Sequence, residues 1–289
     1  MRLLLDRACP ARILTRMPVS TRGTALLLPL VLLLASACRG ESKAGREAEH
    51  AGPGDIRRGR ALLIATRDSL PQHVGGNLRC TSCHLNEGRQ ADAIPLIGVT
   101  ARYPQYSSRA GAISSIEDRI NDCFERSMNG TALPTVSRDM RDMVAYMAYL
   151  SQGAPAHGTV NGQGLPPMTP LIPDRPRGAR VFAQRCVACH GPRGSGTVRG
   201  PALWGPQSYN IGAGMARLRT AASFIRHNMP LDNPSLTDQQ AFDVAAYINA
   251  QPRPDFAGKA HDWPKGDAPP DVPYRTSAAP AEGTAADAH

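Results

Sequence analysis

The chain has 289 residues, room for about two ordinary domains, with 33 Lys and Arg against 24 Asp and Glu and hydrophobic residues at 42%. Aromatics are only 5% and no run alternates Val, Ile, Thr and Tyr, which argues against a large sandwich or barrel; the apolar mass is mostly Ala and Leu at helical spacing. The net charge of +9 overstates the basicity, because removing residues 1–37 leaves 28 basic and 23 acidic side chains, and with no Lys/Arg cluster interleaved with stacking aromatics, nucleic acid is not an expected partner.

In chain order, the first feature is the apolar run at residues 25–37, ALLLPLVLLLASA. It is shorter than the roughly 20 residues of a membrane span, follows an Arg-rich stretch and ends in small residues, so residues 1–37 read as a secretory signal. Two processing outcomes stay open: cleavage after Ala35-Ser36-Ala37, or lipidation of Cys38 as a membrane anchor, with Ala35 where a lipoprotein signal usually has Leu. Either outcome implies a periplasmic protein. Residues 38–54 are polar and Gly-rich and read as a flexible tether.

A helix is expected from Asp55, its N-cap, to about Thr66, with Ile56, Leu63 and Ile64 on one face. Residues 114–128 form a second helical stretch that sets Arg119, Cys123 and Ser127 at i, i+4 and i+8 on one stripe and ends at Gly130. Met128, five residues past Cys123, then falls about 140° away from it. Residues 137–150 carry Met140, Met143, Val144, Met147 and Leu150 at the 3.6-residue period. The Pro/Gly-rich stretch that follows lets no element continue. Helices return near 177–185, 221–228 and 237–250, with Asp174 and Thr237 as caps. The expected domains are therefore 55–152 and 174–252, a linker at 153–173, and a Pro/Ala-rich tail at 253–289, irregular beyond about residue 265.

The two halves repeat. Cys80-Thr81-Ser82-Cys83-His84 matches Cys186-Val187-Ala188-Cys189-His190, and Pro95 and Pro201 each lie eleven residues after the His. An Arg-Gly helix precedes each motif (RRGRALL, PRGARVF) and a similar helix follows (DMVAYMAYL, FDVAAYINA). C-x-x-C-H is the attachment site of a c-type haem: the thiols add to the two vinyl groups and the His supplies the proximal iron ligand. Two copies imply two covalent haems. A structural zinc site needs four ligands, yet the two motifs stand 106 residues apart, and a redox dithiol needs a βαβ setting that is missing.

Each iron then needs a distal ligand. Met229 stands 39 residues after His190 and is followed by Pro230, as the distal Met of class I cytochromes c often is; His227 is its rival and Asn228 a weak alternative. The first half has no matching Met-Pro and instead has Cys123, 39 residues after His84. A lone Cys is often just a small buried hydrophobe. The shared offset, the Arg119 stripe and the missing Met-Pro assign Cys123 as a distal thiolate, which would lower the haem potential relative to Met ligation.

RCTSCHLNEG, YPQYSSRAGAISSIEDRINDCFERSMNG and FIRHNMPL resemble the dihaem thiosulfate dehydrogenases, and the resemblance spans about residues 55–252. It implies an all-α fold of two class I cytochrome c-like domains joined by a Pro/Gly-rich linker. It implies a His84/Cys123 haem as the active site and a His190/Met229 haem that passes electrons to a soluble or membrane-bound cytochrome c. Arg109, Arg119 and Ser127 would line the substrate pocket, where two thiosulfates join into tetrathionate, in some members reversibly. Some members carry Lys before the distal Met; Asn228 stands there in this chain. Two other functions remain: a dihaem electron carrier with Met128 as the first distal ligand, and an enzyme that loads thiosulfate onto a carrier-protein thiol.

Overall fold

The computed structural model describes residues 53–278; the expected signal, the Cys38 processing site and most of the tether lie outside them. The first module begins with α1, Ile56–Ile64. Its cap is Asp55, whose carboxylate accepts the Arg57 and Arg58 N–H at 2.8 and 3.1 Å. The buried face is Gly59, Leu62 and Leu63, not Ile56 with Ile64; Ile56 is exposed. Gly59 decides that rotation. A Cβ on it would lie 1.9 Å from the Asp142 carbonyl oxygen, so α1 turns its glycine onto α3 (Arg138–Leu150), where the two helices cross.

The second module repeats the crossing. Helix α4 (Arg175–Arg185) sets Gly178 against α6 (Asp238–Asn249), with a Cβ there only 2.0 Å from the Asp243 carbonyl oxygen. In both modules a buried Asp staples the joint. Asp142 accepts the Asp55 N–H at 2.7 Å and Arg58 Nη1 at 2.5 Å. Asp243 accepts the Asp174 N–H at 2.7 Å and both Arg177 Nε and Nη2, at 2.7 and 3.0 Å. One short pattern, Asp-x-x-Arg-Gly, thus encodes both joints.

Between α1 and α3 the chain forms a short antiparallel hairpin, β1 (Gln105–Ser107) and β2 (Ala112–Ser114), pairing Tyr106 with Ile113. Its loop carries Arg109. Helix α2 (Ile116–Asp122) follows, capped by Ser115, and continues as one π-helical turn, Cys123–Ser127. Asn129, at φ 48°, supplies the left-handed residue that ends the run, in place of the expected Gly130. Gly130 is needed for space: a Cβ there would lie 1.9 Å from the His73 carbonyl oxygen.

After Leu150 no helix or strand forms before Arg175, yet the segment is not slack: the Gly162 and Gly164 carbonyls accept the Asp92 and Ile94 N–H, each at 2.9 Å. Helix α5 (Leu218–Asn228) completes the second module. The first core is built on Leu63, Phe124, Met140, Met143 and Tyr146, and Tyr209, Ala213 and Ala216 of the second module extend it. The tail forms one short helical turn, Ala257–His261, and is otherwise irregular, but it is packed: Asp262, Trp263 and Thr276 are all buried. Among the described residues no helix is long and apolar enough to cross a membrane.

Candidate functional site

All but one of the residues singled out in the first module converge on one cavity of about 270 Å³, lined by Cys80, Cys83, His84, Arg119, Cys123, Ser127 and Met128 among mostly apolar neighbours. His84 Nδ1–H donates to the Ile94 carbonyl at 2.6 Å, which fixes the ring and leaves Nε2 for a metal. In the second module His190 Nδ1–H donates to the Pro201 carbonyl at 2.8 Å. The repeat is thus kept in its chemistry, while the acceptor in the first module lies one residue before Pro95.

The π turn places Cys123. Its wider coil is closed by the Met128 N–H on the Cys123 carbonyl at 2.9 Å, a five-residue step. That step overturns the α-helical angle between them: Met128 lies one turn above Cys123 and both line the cavity. Arg119 is exposed along the cavity wall, and its Nη1 donates to Cys123 Sγ at 2.9 Å. Among the described residues it makes no ion pair with a carboxylate. Burial alone pushes the Cys123 thiol up, but the Arg119 charge and His84 more than offset it and hold it at about 7. Cys80 and Cys83 feel the same burial without a cation and are pushed up to about 12. One thiol of the cavity is therefore tuned for ionisation.

Arg109 does not join this group. It lines a second cleft on the other side of the π turn, with Arg126, Asn129, Asn210, Phe256, His261 and Asp262. Its Nη1 donates to the Gly212 carbonyl at 2.7 Å and its guanidinium lies over the Trp263 ring, 4.7 Å from the centroid. The π turn is the wall between the two spaces: Cys123, Ser127 and Met128 face one, Glu125 and Arg126 the other. Sequence reasoning missed this second cleft because the tail that builds it is irregular and carries no periodicity.

In the second module Met229 follows α5 in extended conformation and packs with Leu85, Ala93, Phe224 and Met215. Asn228 is buried and committed elsewhere. Its Nδ2 donates to the Asp92 and Phe224 carbonyls at 2.9 and 3.1 Å, and its Oδ1 accepts Gln90 Nε2 at 2.9 Å. His227 Nδ1–H donates to the Ser223 carbonyl at 2.9 Å. Asn228 thus ties the end of α5, just before Met229, to the loop whose Ile94 carbonyl orients His84.

These residues fit c-type haem. The five described cysteines form no disulfide, and the first cavity is apolar with thiols, imidazole and sulfur donors around it. Arg253 lies over Tyr209, which lines that cavity, and keeps Nε and Nη1 buried with no protein partner. Among the described residues no three His, Cys, Asp or Glu gather to hold a bare metal ion. Residues 72–156 match the family described as SoxA/TsdA, cytochrome c domain, and residues 176–252 match cytochrome c. The chain is 46% identical to a thiosulfate dehydrogenase of Psychrobacter arcticus, over 75% of this chain and 69% of that one. It is 44% identical to one of Allochromatium vinosum, over 80% and 86%. A solved thiosulfate dehydrogenase (TsdBA) of Marichromatium purpuratum superposes with a TM-score of 0.69 at 36% identity, covering 81% of this chain and about half, 52%, of that longer one. With two C-x-x-C-H modules and an ionisable thiol beside the first, the chain is a two-domain cytochrome c with two covalent haems and belongs to the thiosulfate dehydrogenase family.

Proposed function

We propose that the first-module cavity couples two thiosulfates into tetrathionate, with His84 and Cys123 holding the first haem iron and His190 and Met229 the second. The haems, when bound, supply the acceptors for the two electrons that the coupling releases. The observation that carries the reading is the Arg119–Cys123 contact, which keeps one sulfur of the cavity poised as a thiolate. Two thiosulfate dianions about 5 Å apart repel by roughly 3 kcal/mol even in a water-like dielectric. Arg119 offsets that repulsion with a charge no carboxylate has taken, and Ser127, turned into the cavity by the π turn, offers a hydroxyl to sulfonate oxygen.

In this reading Cys123 thiolate forms a sulfur–sulfur bond with the terminal sulfur of the first thiosulfate as two electrons leave. The second thiosulfate attacks that same sulfur and displaces the Cys123 thiolate, which returns to its starting state as tetrathionate departs. Charge and sulfur balance in both steps, and no free radical is released. We further infer export to the periplasm on the strength of the apolar run at 25–37, with Cys38 as a candidate lipid anchor and a cytochrome c as acceptor.

One observation favours a second reading. Met128 shares the cavity with Cys123, so an electron carrier with Met128 as ligand has the geometry it needs. Thiosulfate with ferricyanide, assayed on the purified dihaem protein with tetrathionate quantified, separates the two. The enzyme yields one tetrathionate per two ferricyanide reduced, and Cys123→Met keeps both haems yet loses the reaction. A carrier forms no tetrathionate, and its Cys123→Met form keeps the wild-type haem spectrum.

A further inference from the structure

Two guanidinium groups in the C-terminal half of the chain carry buried N–H donors that no protein acceptor takes. We infer that Arg217 and Arg253 are haem-binding residues, which together clamp propionate carboxylate where the two modules meet. The ligand comes from the two covalent haems, so the inference stands apart from the proposed thiosulfate chemistry and bears on what sets the haems' potentials.

Arg253 stands four residues past the end of α6 and one past the stretch that matches cytochrome c. Its Nη2 donates to the Ile248 carbonyl at 2.9 Å, and its guanidinium carbon lies 4.3 Å from the centroid of the Tyr209 ring. Those contacts fix the group, yet Nε and Nη1 are buried with no acceptor. Arg217 is the residue that opens α5; its Nη2 donates to Thr220 Oγ1 at 3.1 Å, and its Nε is likewise buried and unmatched. Among the described residues no other buried side-chain nitrogen lacks a partner. A buried cation with idle donors is costly, so both positions call for an anion.

The two arginines are tied to one scaffold. Asn249 Oδ1 accepts the Tyr209 hydroxyl at 3.1 Å and Arg253 Nη2 at 3.4 Å, while its Nδ2 donates to the carbonyl of Met215, two residues before Arg217. Tyr209 and Met215 both line the first cavity, and Met215 also packs in one apolar cluster with Met229. The scaffold therefore touches both haem environments.

No protein carboxylate answers the two cations: among the described residues neither makes an ion pair. Asp255, two residues beyond Arg253, is held by Lys259 Nζ at 2.7 and 2.5 Å, and Asp271 accepts the Arg219 N–H at 2.9 Å. A c-type haem is apolar except for its propionates, and charge-assisted N–H bonds to carboxylate suit a guanidinium. Such bonds keep the carboxylate ionised, and the added positive charge favours ferrous over ferric iron. Tyr209, the titratable group against Arg253, has its hydroxyl pushed up by burial and stays protonated at neutral pH; Arg109 is the charged neighbour of Arg217.

The test uses the dihaem protein with its haem propionate carboxyls labelled with carbon-13, as wild type, Arg217→Gln, Arg253→Gln and Arg253→Lys. Reduction potentials are read by spectroelectrochemistry from pH 5 to pH 8, each iron followed by its own EPR signal, and the labelled carboxylates by redox-difference infrared spectra. At pH 8, Arg253→Gln should shift the reduction equilibrium of the haem it holds about tenfold toward the ferric form, about 59 mV for one electron. That difference from wild type should shrink toward pH 5 as the freed carboxyl takes up a proton, and labelled bands should shift. Arg217→Gln should move a potential in the same direction, and Arg253→Lys, which keeps the charge, should stay within about threefold of wild type. Whichever iron responds identifies the haem whose propionate is held. Wild type alone gives a second reading should a variant fail to assemble: at least one labelled carboxylate stays ionised below about pH 4, under the ordinary carboxyl range. Potentials and labelled bands unchanged in both Gln variants, or wild-type propionates that all titrate in the ordinary range, overturn the clamp and leave water as the partner of these nitrogens.

Discussion

At the scale of single residues, the cavity separates cysteines by what stands beside them. Cys80, Cys83 and Cys123 all lie half-buried on the cavity wall, but Arg119 reaches only Cys123, at 2.9 Å, and that contact moves the thiol in the opposite direction from the other two. Arg119→Gln keeps a hydrogen-bond donor and removes the charge. It is expected to lower kcat/KM for thiosulfate about a hundredfold, since charge-assisted contacts to both thiolate and anion are lost together, while haem content stays at two. The first haem's spectrum should move toward that of a neutral sulfur or open distal site. An unaltered spectrum with unaltered turnover would remove Arg119 from the mechanism.

At the scale of elements, the glycine crossings carry the fold. Asp243 in the second joint is buried, and burial alone would raise its pKa; Arg177, the Asp174 N–H and Gln239 outweigh that and bring the carboxyl below its ordinary value. A carboxyl with a lowered folded pKa stabilises fully above its unfolded value, near pH 4, and loses that contribution as pH falls through the folded value. Asp243→Asn should therefore cost about 2 kcal/mol at neutral pH and flatten the acid limb of the stability profile, as read by urea melts from pH 7 to pH 3. Gly178→Ala, which sets a Cβ 2.0 Å from a carbonyl oxygen, should destabilise without altering that pH dependence. The π turn is the second element of consequence. It places Met128 above Cys123 and divides the haem cavity from the Arg109 cleft with a single stretch of five residues.

At the scale of the molecule, the modules are joined by polar contacts made on loops. Asn210 Nδ2 donates to the Glu125 carbonyl at 2.8 Å, and its backbone N–H reaches the Arg126 carbonyl of the same π turn at 3.1 Å. Asn228 bridges Gln90 and Asp92. Two of its three hydrogen bonds run from the end of α5, just before Met229, to the loop whose Ile94 carbonyl holds His84, and the third closes on Phe224 within α5. Asn228→Ala strands those partners and should lower the melting temperature of the dihaem protein by about 5 °C. Because the amide is fully engaged, the wild-type second-haem spectrum should carry no sign of nitrogen ligation from it, and Asn228→Ala should leave that spectrum unchanged.

The sequence by itself determined what depends on short spacing. The C-x-x-C-H pairs, the capping Asp55, Asp174 and Thr237, and the Arg-Gly helices are each local patterns whose physics is complete within a few residues. The stripe of Arg119, Cys123 and Ser127 was legible as well, because all three still reach one cavity. Tertiary structure decided the rest. An α-helical wheel set Met128 away from Cys123, and only the packing that imposes a π turn brought it back. The face of α1 was set by a glycine contact 83 residues away in the chain, between Gly59 and Asp142, rather than by its most apolar side chains. Arg109 and the tail met for the same reason: Trp263 lies 154 residues beyond its partner, and no periodicity links an irregular segment to a hairpin loop. Contacts of that separation carry no signature in either strand of sequence, since each partner's composition satisfies only its own local constraints until the core brings them together.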